Sequence, residues 1–141
     1  MTTECKTASA GIARPEMTQL DASDQIGNAL ERLTALLALL CNDCFDGKPF
    51  TGGDDNAVQV LALARSLLHR VWEAQQEMEL DTEAGLHFTA LLEQLTAFVA
   101  LLHGNVDQVP TVRVFVALYH AIDLAEETAS AAQAAWEAHH E

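Results

Sequence analysis

The sequence predicts an all-α fold, an antiparallel four-helix bundle built from two similar helical hairpins behind a flexible N-terminal tail. Three observations lead there. The chain is 50% apolar but only 6% aromatic, with Leu and Ala dominating its middle, which is a helical composition rather than that of a sandwich or barrel. Its apolar residues recur in steps of three and four, the spacing of one helix face. The chain also repeats itself: Leu30-Glu31-Arg32-Leu33-Thr34-Ala35-Leu36-Leu37-Ala38-Leu39-Leu40 is echoed by Leu92-Glu93-Gln94-Leu95-Thr96-Ala97-Phe98-Val99-Ala100-Leu101-Leu102. Trp72-Glu73-Ala74 is echoed in turn by Trp136-Glu137-Ala138.

Residues 1–20 mix Thr, Ser, Gly and Pro15 with charges and show no period, so they read as a flexible tail. One helical domain, 21–141, follows as hairpins 21–79 and 81–141. The cluster Asp21-Ala22-Ser23-Asp24 offers N-cap chemistry. The first helix is expected from about Ser23 to Cys44, with Ile26, Leu30, Leu33, Leu37, Leu40 and Cys44 as its inward seam, widened by Leu36 and Leu39. Asp46-Gly47-Lys48-Pro49-Phe50-Thr51-Gly52-Gly53 breaks it, with Phe50 expected to tuck back and anchor the loop.

The second helix starts near Asp54-Asp55-Asn56 and is expected to reach about Glu79. Its seam is Val60, Ala64, Leu67, Val71, Ala74 and Met78, extended sideways by Leu61, Leu68 and Trp72. Asp81 is the expected N-cap of the third helix, about Thr82 to His103, whose Phe88, Leu92, Leu95, Val99 and Leu102 match Ile26 to Leu40 one for one. Gly104-Asn105 ends it. Pro110 and Thr111 open the fourth, with Phe115, Leu118, Ile122, Ala125, Ala129, Ala132 and Trp136 on its seam. The small residues at the end of that seam allow close helix approach.

Seven basic residues stand against twenty-one acidic ones, a formal net charge of −14. That balance argues against direct nucleic-acid binding and against an anionic membrane surface, both of which need a positive footprint. No signal peptide and no uninterrupted apolar run of transmembrane length is read from the sequence, and three cysteines do not make a disulfide framework. The expected location is the cytoplasm.

Cys41-Asn42-Asp43-Cys44 has Cys-x-x-Cys spacing. A zinc site would need a second ligand pair, and Cys5 lies in the tail. At a helix C-terminus beside Asp43 and Asp46 the thiols should hold their protons, so both cysteines read as structural. Among His69, His87, His103, His120, His139 and His140 no pair has ligand spacing. His120, on the flank of the seam, is expected to be partly buried and hydrogen-bonded. No Lys-Gly pair follows His69 or His103, so neither resembles the phosphoacceptor of a histidine phosphotransfer domain. Asp123, Glu126 and Glu127 lack the Glu-x-x-His pairs of a di-iron bundle. Arg65 stands where the repeat has Ala129, while Arg70 is placed to pair with Glu73 or Glu77 and Arg32 with a neighbouring acid.

No catalytic, cofactor-binding or metal residues are assigned. The functional reading is a small acidic interaction or regulatory module without catalytic activity, binding a protein partner or a second copy of itself through apolar surface left over on helices one and three. Two alternatives come from other classes. One is a metal or small-molecule sensor using Cys41, Cys44 and the histidines. The other is an acidic decoy of a nucleic-acid-binding protein.

Overall fold

In the computed structural model, which describes residues 18–78 and 80–139, the helices are α1 (Gln19–Asp43), α2 (Asp54–Gln75), α3 (Glu83–Asn105) and α4 (Thr111–His139). A 3₁₀ turn, Phe45–Gly47, follows α1, and no strand occurs among the described residues. The tail reading of residues 1–17, together with Cys5, Glu79, His140 and Glu141, lies outside the described residues.

Threonines start two of the helices. Thr18 is extended (φ −72°, ψ 161°) and its Oγ1 accepts from the Asp21 N–H at 3.0 Å. Thr82 does the same for Gly85 at 3.0 Å. The expected caps, the Asp21–Asp24 cluster and Asp81, are therefore each displaced. Asp21 and Glu83 instead fall within the first turn, where a carboxylate complements the positive end of the helix dipole. α1 consequently begins at Gln19, ahead of the expected Ser23 and inside the segment assigned to the tail.

The inward faces of α1 and α3 are as expected. Ile26, Leu30, Leu33, Leu37, Leu40 and Cys44 are buried, and so are Phe88, Leu92, Leu95, Val99 and Leu102. Leu33 and Leu95 occupy equivalent, fully buried positions, so the repeat is a repeat of the core face. Leu39 does not widen the seam; it is exposed.

On α2 and α4 the apolar face is turned relative to expectation. α2 buries Ala57, Leu61, Ala64, Leu68, Val71 and Ala74, leaving Val60, Leu67 and Trp72 at the edges and Met78 beyond the helix end. α4 buries Val114, Leu118, Ala121, Ala125, Thr128, Ala131 and Ala135, while Phe115, Ile122, Ala129, Ala132 and Trp136 flank them. Adjacent apolar residues lie only about 100° apart on a helix, so a helix rich in such pairs satisfies the same period in either phase. Thr128 is buried without penalty, because its hydroxyl donates to the Leu124 carbonyl at 2.6 Å.

α1 packs against both α2 and α4, and α4 also packs against α3, whereas α2 and α3 meet along a much shorter stretch. At about 1.5 Å per residue the 23-residue α3 is roughly 35 Å long. The link from Val106 to Pro110 spans at most about 18 Å, so its helices must run antiparallel. α2 stops at Gln75 rather than near Glu79, because the tight turns Glu77 N–H to Ala74 and Met78 N–H to Gln75 reverse the chain earlier. α3 runs through Gly104 to Asn105, whose side-chain amide donates to the Leu101 carbonyl at 2.8 Å.

The α1–α2 loop is anchored as expected by Phe50, 5% exposed. The Asp43 carboxylate accepts from both the Thr51 N–H (2.8 Å) and the Thr51 hydroxyl (2.6 Å), which holds its own proton affinity below the ordinary value. Contrary to the reading that no segment reaches transmembrane length, α3 is long and apolar enough to cross a membrane by length and composition. Phe88, Leu91, Leu92, Leu95, Val99 and Leu102 of this helix lie in the bundle core, while Leu86 and Leu101 are exposed.

Two glycines separate packing from propensity. An added Cβ at Gly27 meets nothing within 4 Å, whereas one at Gly85 would lie 2.7 Å from the Leu80 carbonyl oxygen. Gly27→Ala is expected to stabilise the protein by about 0.5–1 kcal/mol through helix propensity. Gly85→Ala is expected to destabilise it by about 1–3 kcal/mol, because a backbone atom must move. Urea unfolding of the two variants checks the opposite signs.

Candidate functional site

The two cysteines close the core end of α1. Cys44 is fully buried and its thiol faces the Cys41 carbonyl at 3.8 Å, while the Cys41 thiol faces the Phe115 carbonyl on α4 at 3.9 Å. Burial pushes the Cys41 thiol up. Burial, then Cys41 and more weakly Asp43, push Cys44 up to about 11. The thiols thus hold their protons for a different leading reason than the helix dipole. Among the described residues no group of three or more His, Cys, Asp or Glu is placed to hold a metal ion.

The histidines are scattered. His69 and His87 are exposed, and His120 is exposed as well, not partly buried as expected, because the α4 face is turned toward Ala121. His139 ends α4. His69 Nε2 lies 3.4 Å from the Glu73 carboxylate one turn along α2, with both groups well exposed, and the expected Arg70–Glu73 pair does not form among the described residues.

Arg65 leads to the first of two surface features. Its Nη1 reaches across from α2 and donates to His103 Nδ1 on α3 at 3.2 Å. Below them the Trp72 indole donates to Thr96 Oγ1 at 2.9 Å, and that hydroxyl donates to the Leu92 carbonyl at 2.7 Å. These contacts bridge a furrow where α2 and α3 stand apart. Its inner part, about 160 Å³, is floored by Leu68 and Trp72 and walled by Arg65, His69 and Thr96. It opens onto a shallower depression of about 570 Å³ that also takes in Arg70, Glu73 and His103.

The second feature is an apolar face. Val112, Phe115, Val116 and Tyr119 recur at helical spacing along the first half of α4, and Phe45 of the 3₁₀ turn lies beside them. Phe45 and Phe115 pack edge to face at 5.4 Å, as do Phe115 and Tyr119 at 5.3 Å. Val112, Val116, Tyr119 and Phe45 are each about half exposed. On α1 and α3 the exposed apolar residues are Leu20 and Leu39, and Leu86 and Leu101, the last of which lines a separate apolar depression with Phe98 and Val109.

Of the residues singled out in the sequence, the structure brings Arg65 together with His103 and Trp72 with Thr96. Among the described residues it leaves Arg32, Arg70, His87 and His120 outside any such pairing. Val116, Tyr119 and Phe45 are not among the residues to which the sequence points, because apolar spacing alone does not separate an outward face from an inward one. No family model, curated protein or solved structure matches this chain.

The Cys44 shift has a consequence for stability. Below about pH 9 the thiol is protonated in both folded and unfolded chains. Between about pH 9 and 11 the unfolded chain releases that proton while the folded chain keeps it, so stability falls as pH rises through this window. Urea midpoints across it should fall more steeply for the wild type than for Cys44→Ala. Parallel pH profiles would show that the thiol contributes nothing.

Proposed function

We propose that the protein is a non-enzymatic, regulatory interaction module of the cytoplasm, and that the α4 face is where it meets its partner. The observation that carries this reading is the contiguous apolar patch of half-exposed Phe45, Val112, Val116 and Tyr119 around the partly buried Phe115, internally stacked. Aromatic anchors of this kind supply most of the energy at protein interfaces, because large apolar area is buried with few rotors to freeze. A patch already held by edge-to-face contacts loses little further freedom on binding.

Charge selects the occupant. Two copies of a chain of net charge −14 repel each other, whereas a basic partner is drawn in. The fitting partner is therefore a protein segment with apolar anchors on a Lys/Arg-rich rim. A nucleic-acid-binding protein whose basic site these helices would occupy falls within that chemistry.

Val116→Asp places a charge in the patch without touching the core. In affinity purification from the native host it should lose the basic partner that the wild-type bait retains, and moderate salt should weaken the wild-type complex, since the steering attraction is screened. Its thermal melt should match the wild type. Sedimentation of the wild type should give a monomer. Retention of the partner by Val116→Asp, or a concentration-dependent dimer that Val116→Asp abolishes, would overturn the assignment.

A further inference from the structure

We propose that the furrow between α2 and α3 is a binding site for an organic phosphate monoester, with the phosphate against Arg65 and His103 and the apolar body against Leu68 and Trp72. This site is independent of the α4 patch; it uses different helices and different residues.

The starting point is the partner Arg65 has. In a chain with twenty-one carboxylates its guanidinium meets none among the described residues; it donates to an imidazole nitrogen of the opposite helix. That contact uses one of the five N–H groups of the fork, leaving the rest free to engage an oxyanion. Ser66, one residue on, lines the same depression and adds a hydroxyl.

The charged and titratable groups facing the depression are Arg65, Arg70, His69 and His103 against a single carboxylate, Glu73. Glu73 is engaged by His69 at 3.4 Å. With both imidazoles neutral the lining still carries one net positive charge, in a molecule that is otherwise strongly acidic.

The apolar floor makes the second half of the argument. Trp72 is held in place by its indole hydrogen bond to Thr96, whose own hydroxyl is in turn committed to the Leu92 carbonyl. The indole face is thus a fixed wall beside a guanidinium, the arrangement that takes an oxyanion at one end and a flat or apolar body at the other. The overall charge of −14 opposes capture of a bare anion, so binding depends on that second contact. An inner volume of about 160 Å³ limits the inserted body to a ring or a short chain.

Phenyl phosphate is the probe, with benzoate, inorganic phosphate and phenol as comparisons. Calorimetric titration of the full chain should give saturable, one-site binding of phenyl phosphate that is tighter than any of the three. In amide and indole NMR spectra, assigned with Trp136→Phe, the Trp72 indole signal should move on titration. Arg65→Ala should weaken binding about tenfold or more, as expected for losing charge-assisted hydrogen bonds. Arg113→Ala, which removes an exposed arginine on α4, should not. Tighter binding of benzoate would reassign the ligand to carboxylates. Absence of saturation in the millimolar range, or equal weakening by Arg65→Ala and Arg113→Ala, would overturn the site.

Discussion

α1 has to satisfy two neighbours at once. It packs along α2 on one side and α4 on the other, so a single stripe of apolar residues does not suffice. Ala22, Ala29 and Cys41 extend the stripe of Ile26, Leu30, Leu33 and Leu37 until the buried face spans more than the width of an ordinary amphipathic helix. Each fully buried leucine contributes about 1.5–3 kcal/mol, and α1 supplies three with no exposed surface at all. The cysteines lie at the end of this same face. Their protonated state is a by-product of the packing, and the Cys-x-x-Cys spacing follows from the helical period of the seam.

That constraint explains which parts of the fold were legible. On α1 and α3 the strict three-four seams, Ile26 to Leu40 and Phe88 to Leu102, are the buried faces, although both helices also carry outward apolar residues such as Leu39, Leu86 and Leu101. On α2 and α4 the pairs Val60/Leu61, Leu67/Leu68, Val114/Phe115 and Ala131/Ala132 leave the phase open, and the neighbours of the helix decide it. The caps were misassigned for a local reason. Aspartates near a helix start serve the dipole as well from within the first turn as from the cap itself, and the extended backbone at Thr18 and Thr82 fixes which residue caps.

The surface features were legible only in part. Arg65 was visible as a departure from the repeat, but its meeting with His103 depends on how α2 and α3 come together. The α4 patch was hidden because periodicity alone does not distinguish an inward seam from an outward one. Val112, Val116 and Tyr119 have the spacing of a core face yet lie on a side that no other helix covers among the described residues.

Two similar hairpins would be expected to pack against each other alike, α1 against α4 and α3 against α2. They do not, and the difference follows from what each second helix offers. α4 buries Ala121, Ala125, Ala131 and Ala135, small residues that allow close helix approach, and it packs extensively on α1. α2 presents Leu68 and Trp72 and, at the repeat position of Ala129, Arg65. A guanidinium cannot be drawn into an apolar interface without a partner, because its desolvation would cost several kcal/mol. The imidazole of His103 gives it a hydrogen bond at the interface edge without neutralising it, so the charge stays in contact with water and the helices stay apart there. The inward faces of both hairpins hold the core, which leaves the outward and edge positions of the second helices free to differ between them. The furrow at Arg65 and the apolar stripe beginning at Val112 both lie at such positions.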